Sequence, residues 1–563
     1  MKQTKRGLTA VLLCGLLVLS GCGAQNTAQD TSNTGTVSSE DMTATTVSTI
    51  DTAEIFSDRD LAGTYDESEA IDIQLNGNTA SCDSNSVVID GGTITITAEG
   101  IYRISGTLTD GQIVVDAGDT EKVQLVLAGA DITSSTSAAI YALEADKVFI
   151  TSAENTENTL TNGGEYVAID DNNIDSVIFA KTDLTLNGSG SLTINAQAGH
   201  GVVSKDDLLI TGGNYTITSA SHGLSGKDCV AIADGVLTIT SGKDGIHAEN
   251  SDDLTLGWLY IKDGSFTILS QGDAVSAIGA LQIDGGTFNL STGEGSASVE
   301  MTSSDQFAGG QRGGWTNQTT APDTQTTSTT QTEEDSTSQK GIKGENTYAI
   351  NGGTFTIDSA DDCLHSGGEM AIAAGEFTLS SGDDAIHCDD ALTIQSGTFT
   401  ISYCYEGIEG LSITIEDGVF DITSNDDGLN AGGGADSSGF SGFGARQQDT
   451  FTASSNCFIM INGGTFTIVS TGDCVDSNGS LTINGGTLAL TCNGSGNTAI
   501  DCDGAYANNG GDIATNDGSE TNPGQMSGGR GGMGDQAGTD GRGGVRGQDS
   551  TAASGELGQT SGT

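Results

Sequence analysis

Basic residues and proline are nearly missing from this 563-residue chain. Against 76 Asp and Glu stand 19 Lys and Arg, a formal charge of −57. Such a chain is a poor direct partner for nucleic acid or anionic lipid, and no nucleic-acid partner is expected. It can meet an anionic polymer only where divalent cations bridge the two. Aromatics make up 5% of the chain, and prolines number 2. No long segment carries apolar residues at the helical spacing i, i+3, i+4, i+7. There is no Cys-x-x-Cys pair, and removing Cys14 and Cys22 from the 11 cysteines leaves an odd nine. That argues against a zinc site and against a full disulfide framework. What abounds is Gly, 84 in all, with Thr, Ser, Asn and Asp. This is the composition of many short strands joined by tight turns.

The N-terminus reads as an export signal. Lys2, Lys5 and Arg6 precede a short apolar run from Leu8 to Leu19, and Leu19-Ser20-Gly21-Cys22 reads as a bacterial lipobox. The run is too short for a good membrane span. By resemblance to bacterial lipoproteins, Cys22 is the expected lipidation site and residues 1–22 the signal peptide. The expected location is extracellular, at the bacterial surface, held to the membrane by the lipid anchor only. Residues 23–59, rich in Ser, Thr, Gln and Asn, are expected to form a flexible linker.

The body of the chain repeats. Ala349-Ile-Asn-Gly-Gly-Thr-Phe-Thr-Ile357 recurs as Leu209-Ile-Thr-Gly-Gly-Asn-Tyr-Thr-Ile217 and as Ile459-Met-Ile-Asn-Gly-Gly-Thr-Phe-Thr-Ile468. Each copy is an alternating strand, a glycine bend and a second alternating strand. A third short segment follows each pair. From His200 to His222 to Asp244 its step is 22 residues, and it is 22 again from Lys340 to Asp362 to Asp384 to Glu406. Three short strands per 22-residue turn predict an all-β chain, a right-handed parallel β-helix. Phe266, Phe288, Phe355, Phe377, Phe399, Phe420 and Phe466 fall at one strand position and are expected to stack inside it. The organisation expected is an N-terminal β region or cap with the first coils at 60–183, and the β-helix at 184–506. Low-complexity insertions interrupt the helix at 293–339 and 431–456. A disordered Gly-rich tail is expected at 507–563.

Aligned repeats bring acids into vertical columns. One position holds Lys340, Asp362, Asp384, Glu406 and Asp427. The position before it holds Gln339, Asp361, Asp383, Tyr405 and Asp426, and the position three later holds Lys343, His365, His387, Glu409 and Asn430. Carboxylates stacked about 4.8 Å apart repel by roughly 3 kcal/mol at an effective dielectric near 20. Protonation or a bound cation relieves this. Calcium fits best, because it takes carboxylate, carbonyl and water oxygens with tolerant geometry, whereas magnesium demands a strict octahedron. For any single pair, solvated turn carboxylates remain the alternative. His247, His365 and His387 share a ladder position and suit hydrogen bonding or pH sensing better than zinc. The cysteines read as small buried fillers.

Three runs carry a family resemblance: Ser381-Gly-Asp-Asp-Ala-Ile-His387, Ser402-Tyr-Cys-Tyr-Glu-Gly-Ile-Glu-Gly410 and Ser424-Asn-Asp-Asp-Gly-Leu-Asn430. In order and spacing they resemble the bacterial carbohydrate-binding β-helix family first described in a clostridial cellulose degrader, over about residues 60–504. The resemblance implies a pectate-lyase-like solenoid that binds calcium, cellulose and acidic sugars such as polygalacturonate. It implies Asp361, Asp362, Asp383, Asp384, Glu406, Glu409, Asp426 and Asp427 as calcium ligands. The expected function is a calcium-dependent binder of plant-type or acidic polysaccharide, monomeric, with no catalytic residue assigned. Cellulose is the weaker ligand case, since Trp258 and Trp315 are the only tryptophans. Two alternatives stay open. One is a calcium-dependent polysaccharide lyase with Lys340 or Lys343 as base. The other is a structural or adhesive surface solenoid.

Overall fold

The computed structural model describes residues 49–253, 255–299, 301, 338–432 and 456–523. Cys22, Trp315, most of the linker and the greater part of both insertions and of the tail lie outside the described residues. The described chain is all-β, with one short α-helix, Asp58–Ala62, and two 3-10 turns. Among the described residues no helix is long and apolar enough to cross a membrane.

From Glu157–Asn162 onward, strands pair in parallel with their counterparts one repeat later. Three stacks of strands result. A short-strand stack runs through Leu224–Gly226, Ile246–Ala248, Val275–Ala277, Ile342–Gly344 and Leu364–Ser366. A middle stack includes Leu281–Ile283, Tyr348–Ile350 and Met370–Ile372. A phenylalanine stack includes Thr287–Thr292, Thr354–Ser359 and Glu376–Ser381. Register survives both insertions: Val275 pairs with Ile342, and Leu429 with Val475.

In the phenylalanine stack the strands alternate exposed and buried positions. The seven Phe of the repeat form a continuous column, with ring centroids 4.5–4.9 Å apart and planes within 6°. All are almost fully buried. Each such burial contributes about 1.5–3 kcal/mol, so the column is a large part of the core. It also fixes the preceding turn. Gly375 has φ +147°, and a Cβ there would lie 2.7 Å from the Phe377 ring. Only glycine lets the bend fold over the ring.

The ends depart from the repeat. Val87–Asp90 and Thr93–Ile96 form an antiparallel hairpin, and Ala70–Gly77 pairs antiparallel with Ala80–Ser81. At the other end the strands continue past residue 506. Tyr506–Asn508 and Asp512–Thr515 add to the middle and phenylalanine stacks. The Ala499 N–H then donates to Asp517 Oδ2 at 2.8 Å and the Ile500 N–H to Ser519 Oγ at 3.0 Å. Side chains thus satisfy an edge that would otherwise present bare donors. The expectation of a structureless tail from 507 is corrected over 507–523. The Asn509-Gly-Gly turn was the overlooked signal, and Ile513 in place of Phe weakened it. The linker boundary moves as well. Ile50 is buried against Leu209, Ala231 and Tyr260, and the Thr49 and Ile50 N–H groups donate to Gln282 Oε1.

Candidate functional site

The site grows from the turns that enter the short strands. Consecutive backbone bonds fix it: Gly341 N–H to Asp362 O, Cys363 N–H to Asp384 O, Ala385 N–H to Glu406 O and Gly407 N–H to Asp427 O, at 2.8–3.1 Å. The same register carries the column up through Asp244 and Asp273 and down to Asp473. A second column, three residues later, holds His247, Ser276, Lys343, His365, His387, Glu409, Asn430 and Asp476.

Most carboxylates of the first column share one duty that sequence reasoning missed. One oxygen accepts the backbone N–H of the column residue in the next repeat. Asp244 accepts from Asp273, Asp273 from Lys340, Asp362 from Asp384, Asp384 from Glu406, and Asp427 from Asp473, at 2.6–3.1 Å. Asp473 in turn accepts from Thr498. These donors sit in turns before the strands begin, where a carboxylate supplies the acceptor that a backbone carbonyl does not. The acids are therefore part of the fold as well as candidates for a ligand site.

The second oxygen is treated differently in the two halves of the column. In the upper half it meets a cation or an imidazole. The Lys340 ammonium is 2.7 Å from Asp362 Oδ2 and 3.0 Å from Asp361 Oδ1, with its side chain 3% exposed. Asp362 Oδ2 also lies 3.0 Å from His365 Nδ1. Burial pushes the Asp362 carboxyl up, but Lys340, His365 and His387 together hold it well below the usual carboxylate range. His387 Nδ1 contacts Asp384 Oδ2 at 3.1 Å and Glu409 Oε2 at 2.8 Å, and its Nε2 contacts Asp389 Oδ1 at 3.1 Å. Burial opposes the imidazolium, yet these three carboxylates raise it well above its ordinary value. Lys343 pairs with Glu345 at 2.6 Å. Burial lowers the Lys343 ammonium and Asp273 and Glu345 more than restore it, so it lies above the ordinary value. A general base needs a depressed pKa and access to substrate; Lys343 is raised, and Lys340 is buried against two carboxylates.

The lower half is built of oxygen. From residue 388 to 529 the sequence holds eighteen Asp and Glu and a single basic residue, Arg446, which lies outside the described residues. Burial, then Glu409, Asp384 and Asp427, raise Glu406 well above the usual carboxylate range. Burial, then Asp476, Asp473 and Asp426, do the same to Asp427. Asn430 donates its amide to Glu406 Oε2 at 2.9 Å, which leaves Asn430 Oδ1 buried with no hydrogen-bond partner. One oxygen each of Asp473, Asp476 and Asp501 lies within 4.8 Å of the other two. At Gly472 a Cβ would sit 2.3 Å from Asp427 Oδ1 and 2.5 Å from Asp426 Oδ1, so both carboxylates close over a bare backbone. A buried orphan amide oxygen amid raised carboxyls fits a hard, oxygen-seeking dication.

The eight expected ligands thus fall into different settings. Asp361, Asp362 and Asp383 form one cluster, beside Lys340. Asp384 and Glu409 form another, around His387. Glu406, Asp426 and Asp427 face the lower group, where Asn430, Asp473, Asp476 and Asp501 were missed. Following both columns one repeat further would have found Asp473 and Asp476, and a second repeat Asp501. His247 does not join His365 and His387; its ring stacks on His222 at 4.7 Å, and His222 stacks on His200 at 5.1 Å. The nine described cysteines are all unbridged.

A family model described as carbohydrate-binding domain-containing protein matches residues 90–385 and 383–531. The chain belongs to this carbohydrate-binding domain family. A carbohydrate-binding domain-containing protein of Acetivibrio thermocellus is 43% identical over 126 residues, which cover 22% of this chain and 44% of that relative. The match therefore spans less than half of the relative's length. Among solved structures, a polysaccharide lyase-like protein from C. thermocellum, in a gadolinium derivative, is 35% identical, with a TM-score of 0.39. That alignment covers 40% of this chain and 92% of the other.

Proposed function

We propose that this protein is a calcium-dependent carbohydrate-binding lipoprotein of the bacterial surface, anchored through Cys22, and that its ligand is an acidic polysaccharide of the polygalacturonate kind. In this reading the three strand stacks wind as a right-handed parallel β-helix. The observation that carries the proposal is the orphan Asn430 Oδ1 among Glu406, Asp427, Asp473 and Asp476. Glu406, Asp427 and Asn430, and in the next two repeats Asp473, Asp476 and Asp501, would hold calcium as two adjacent groups of oxygens rather than around one ion. Calcium supplies a fixed positive charge with coordination positions to spare. Protein oxygens fill some of these, and uronate carboxylates take others. This resolves the conflict between a chain of charge −57 and an anionic ligand.

The test is retention of the purified protein on immobilised polygalacturonate, with calcium and with chelator. Retention is expected with calcium only, and Glu406→Gln combined with Asp427→Asn should weaken it at least tenfold. Retention that ignores calcium refutes the reading. No unsaturated uronate product is expected, because Lys340 and Lys343 are already paired with carboxylates. A second reading is favoured by the backbone bonds that column oxygens already make. There calcium only stiffens the stack; the protein would gain thermal stability from the ion and show no retention.

A further inference from the structure

Before Asp244 the first column changes chemistry. His200 and His222 stand where Asp244, Asp273 and Asp362 stand in later repeats. His222 takes over the capping duty, for its Nδ1 accepts the Asp244 N–H at 3.2 Å. Capping does not account for the other two imidazoles. His200 stacks on His222 at 5.1 Å, yet its Nδ1 is buried with no hydrogen-bond partner among the described residues. His247 belongs to the second column, and its ring stacks on the far side of His222 at 4.7 Å with planes within 13°.

Two of these rings converge on one carboxylate. His247 Nδ1 lies 3.0 Å from Asp244 Oδ2, and His222 Nδ1 lies 3.6 Å from the same oxygen. A tetrahedral ion bound at about 2.0–2.1 Å holds its donors roughly 3.3 Å apart, so the two observed distances bracket the requirement. One ligand atom from each of the three residues lies within 4.8 Å of the others. Ser276 Oγ closes a further side, 2.6 Å from His247 Nδ1 and 2.9 Å from Asp244 Oδ2. The three side chains are 15–18% exposed, which leaves an ion a way in. Burial, then His247, lowers the His222 imidazolium to about 3, so its ring is neutral and its lone pair available. Lys205 and Lys243 oppose added positive charge here, while Asp244, Glu249 and Asp273 favour it.

We propose that His222, Asp244 and His247 form a site for a transition-metal dication of the zinc kind, separate from any calcium. The donor set makes the choice. Calcium takes oxygen ligands, whereas imidazole nitrogen suits zinc, copper and nickel. The missing Cys-x-x-Cys pair argues against thiolate zinc and does not bear on imidazoles. The ion would take the place of the proton between His247 and Asp244. His222 would exchange its long bond from the Asp244 N–H for a metal–nitrogen bond. Because the ligands come from consecutive repeats, the ion would staple coils that otherwise touch only their neighbours. Three protein donors leave a fourth position to water or an outside ligand, the pattern of an open zinc site.

The experiment titrates the full mature chain, stripped of metal, with zinc in a millimolar calcium buffer and reads the heat. Wild type should bind zinc with micromolar affinity or better, and calcium should not compete. His222→Asn keeps an acceptor for the Asp244 N–H but removes the ring nitrogen, so it separates the capping role from the metal role. His222→Asn and His247→Gln should each weaken zinc binding about tenfold or more, with the wild-type melting temperature kept in chelator. If one variant melts early, the other carries the test. Zinc should also raise the melting temperature of wild type, a readout that needs no variant. Cobalt(II), a coloured stand-in for zinc, should give visible absorption bands that both variants lose. Both variants should keep calcium-dependent retention on polygalacturonate, since the two readings rest on different residues. Loss of that retention in wild type would sink the calcium reading and leave this one standing. The proposal is overturned if wild type binds no zinc in millimolar calcium, if calcium displaces the zinc, or if both variants bind zinc as tightly as wild type.

Discussion

Lys340→Met removes one ammonium while keeping an unbranched apolar chain of similar reach. The ammonium lies 2.7 Å from Asp362 and 3.0 Å from Asp361, with side-chain exposures of 1% and 11% for the two acids. Breaking a buried pair by deleting one partner costs about 3–5 kcal/mol, because the remaining charge stays buried without its counter-ion. His365, 3.0 Å from Asp362, offsets part of this when protonated. The expected loss in chelator is therefore about 3 kcal/mol, at the lower end of that range. Calcium should then restore much of it. With the lysine gone, Asp361, Asp362 and Asp383 present oxygens within 4.8 Å of one another. An ion at a hundred times its Kd returns about 2.7 kcal/mol. The assay is urea unfolding of both proteins, each in chelator and in millimolar calcium. A loss below about 1 kcal/mol in chelator, the value of a surface pair, would refute the claim that Lys340 is the structural cation of the upper column. A loss that calcium leaves untouched would refute the claim that the ion can take its place.

Three further outcomes are expected. Phe399→Ala opens a gap in a column whose neighbours lie 4.6 and 4.8 Å away and should cost about 3–5 kcal/mol by denaturant titration. Gly375→Ala places a Cβ 2.7 Å from the Phe377 ring at a φ of +147°; a loss of about 1–3 kcal/mol is expected, and a neutral result would refute the glycine argument. Glu406 and Asp427 have folded-state values raised well above the usual range by burial and neighbouring acids. Their contribution is present below the unfolded value of about 4 and is lost as pH rises through the raised values. In chelator the melting temperature should fall from mildly acidic to neutral pH, and calcium should flatten the decline; a rise toward neutrality in chelator would contradict it.

The repeat was legible because inward Phe, glycine bend and acid turn each recur at one fixed spacing. Phe377 and Gly375 explain each other, and alternation with Thr shows which side of the strand is core. The two ends were less legible, because end strands must break the pattern that identifies the others. Ile513 fills the Phe position, and Asp517 and Ser519 act through backbone donors that no periodicity reveals. The acid columns were legible as columns and illegible as chemistry. Spacing places Asp362 over Asp384, but it cannot tell that one oxygen of each caps a backbone N–H in the next repeat.

That capping duty changes what a run of stacked acids means. Like charges a strand apart would be selected against if repulsion were their only consequence. Here most of these acids give the next repeat a charge-assisted hydrogen bond, so the acid is retained and the repulsion must be met by other means. The upper half meets part of it internally, through Lys340, His365 and His387. The lower half substitutes Glu409, Asn430 and Asp476 for Lys343, His365 and His387 in the second column. The change replaces built-in cations with oxygen donors while the capping bonds continue, as from Asp473 to Asp427. A purely structural column would have no reason to make that exchange, since it gives up compensation already present one repeat away. An ion-binding edge would, because the open positions of a bound ion, unlike a buried ammonium, remain available to a ligand.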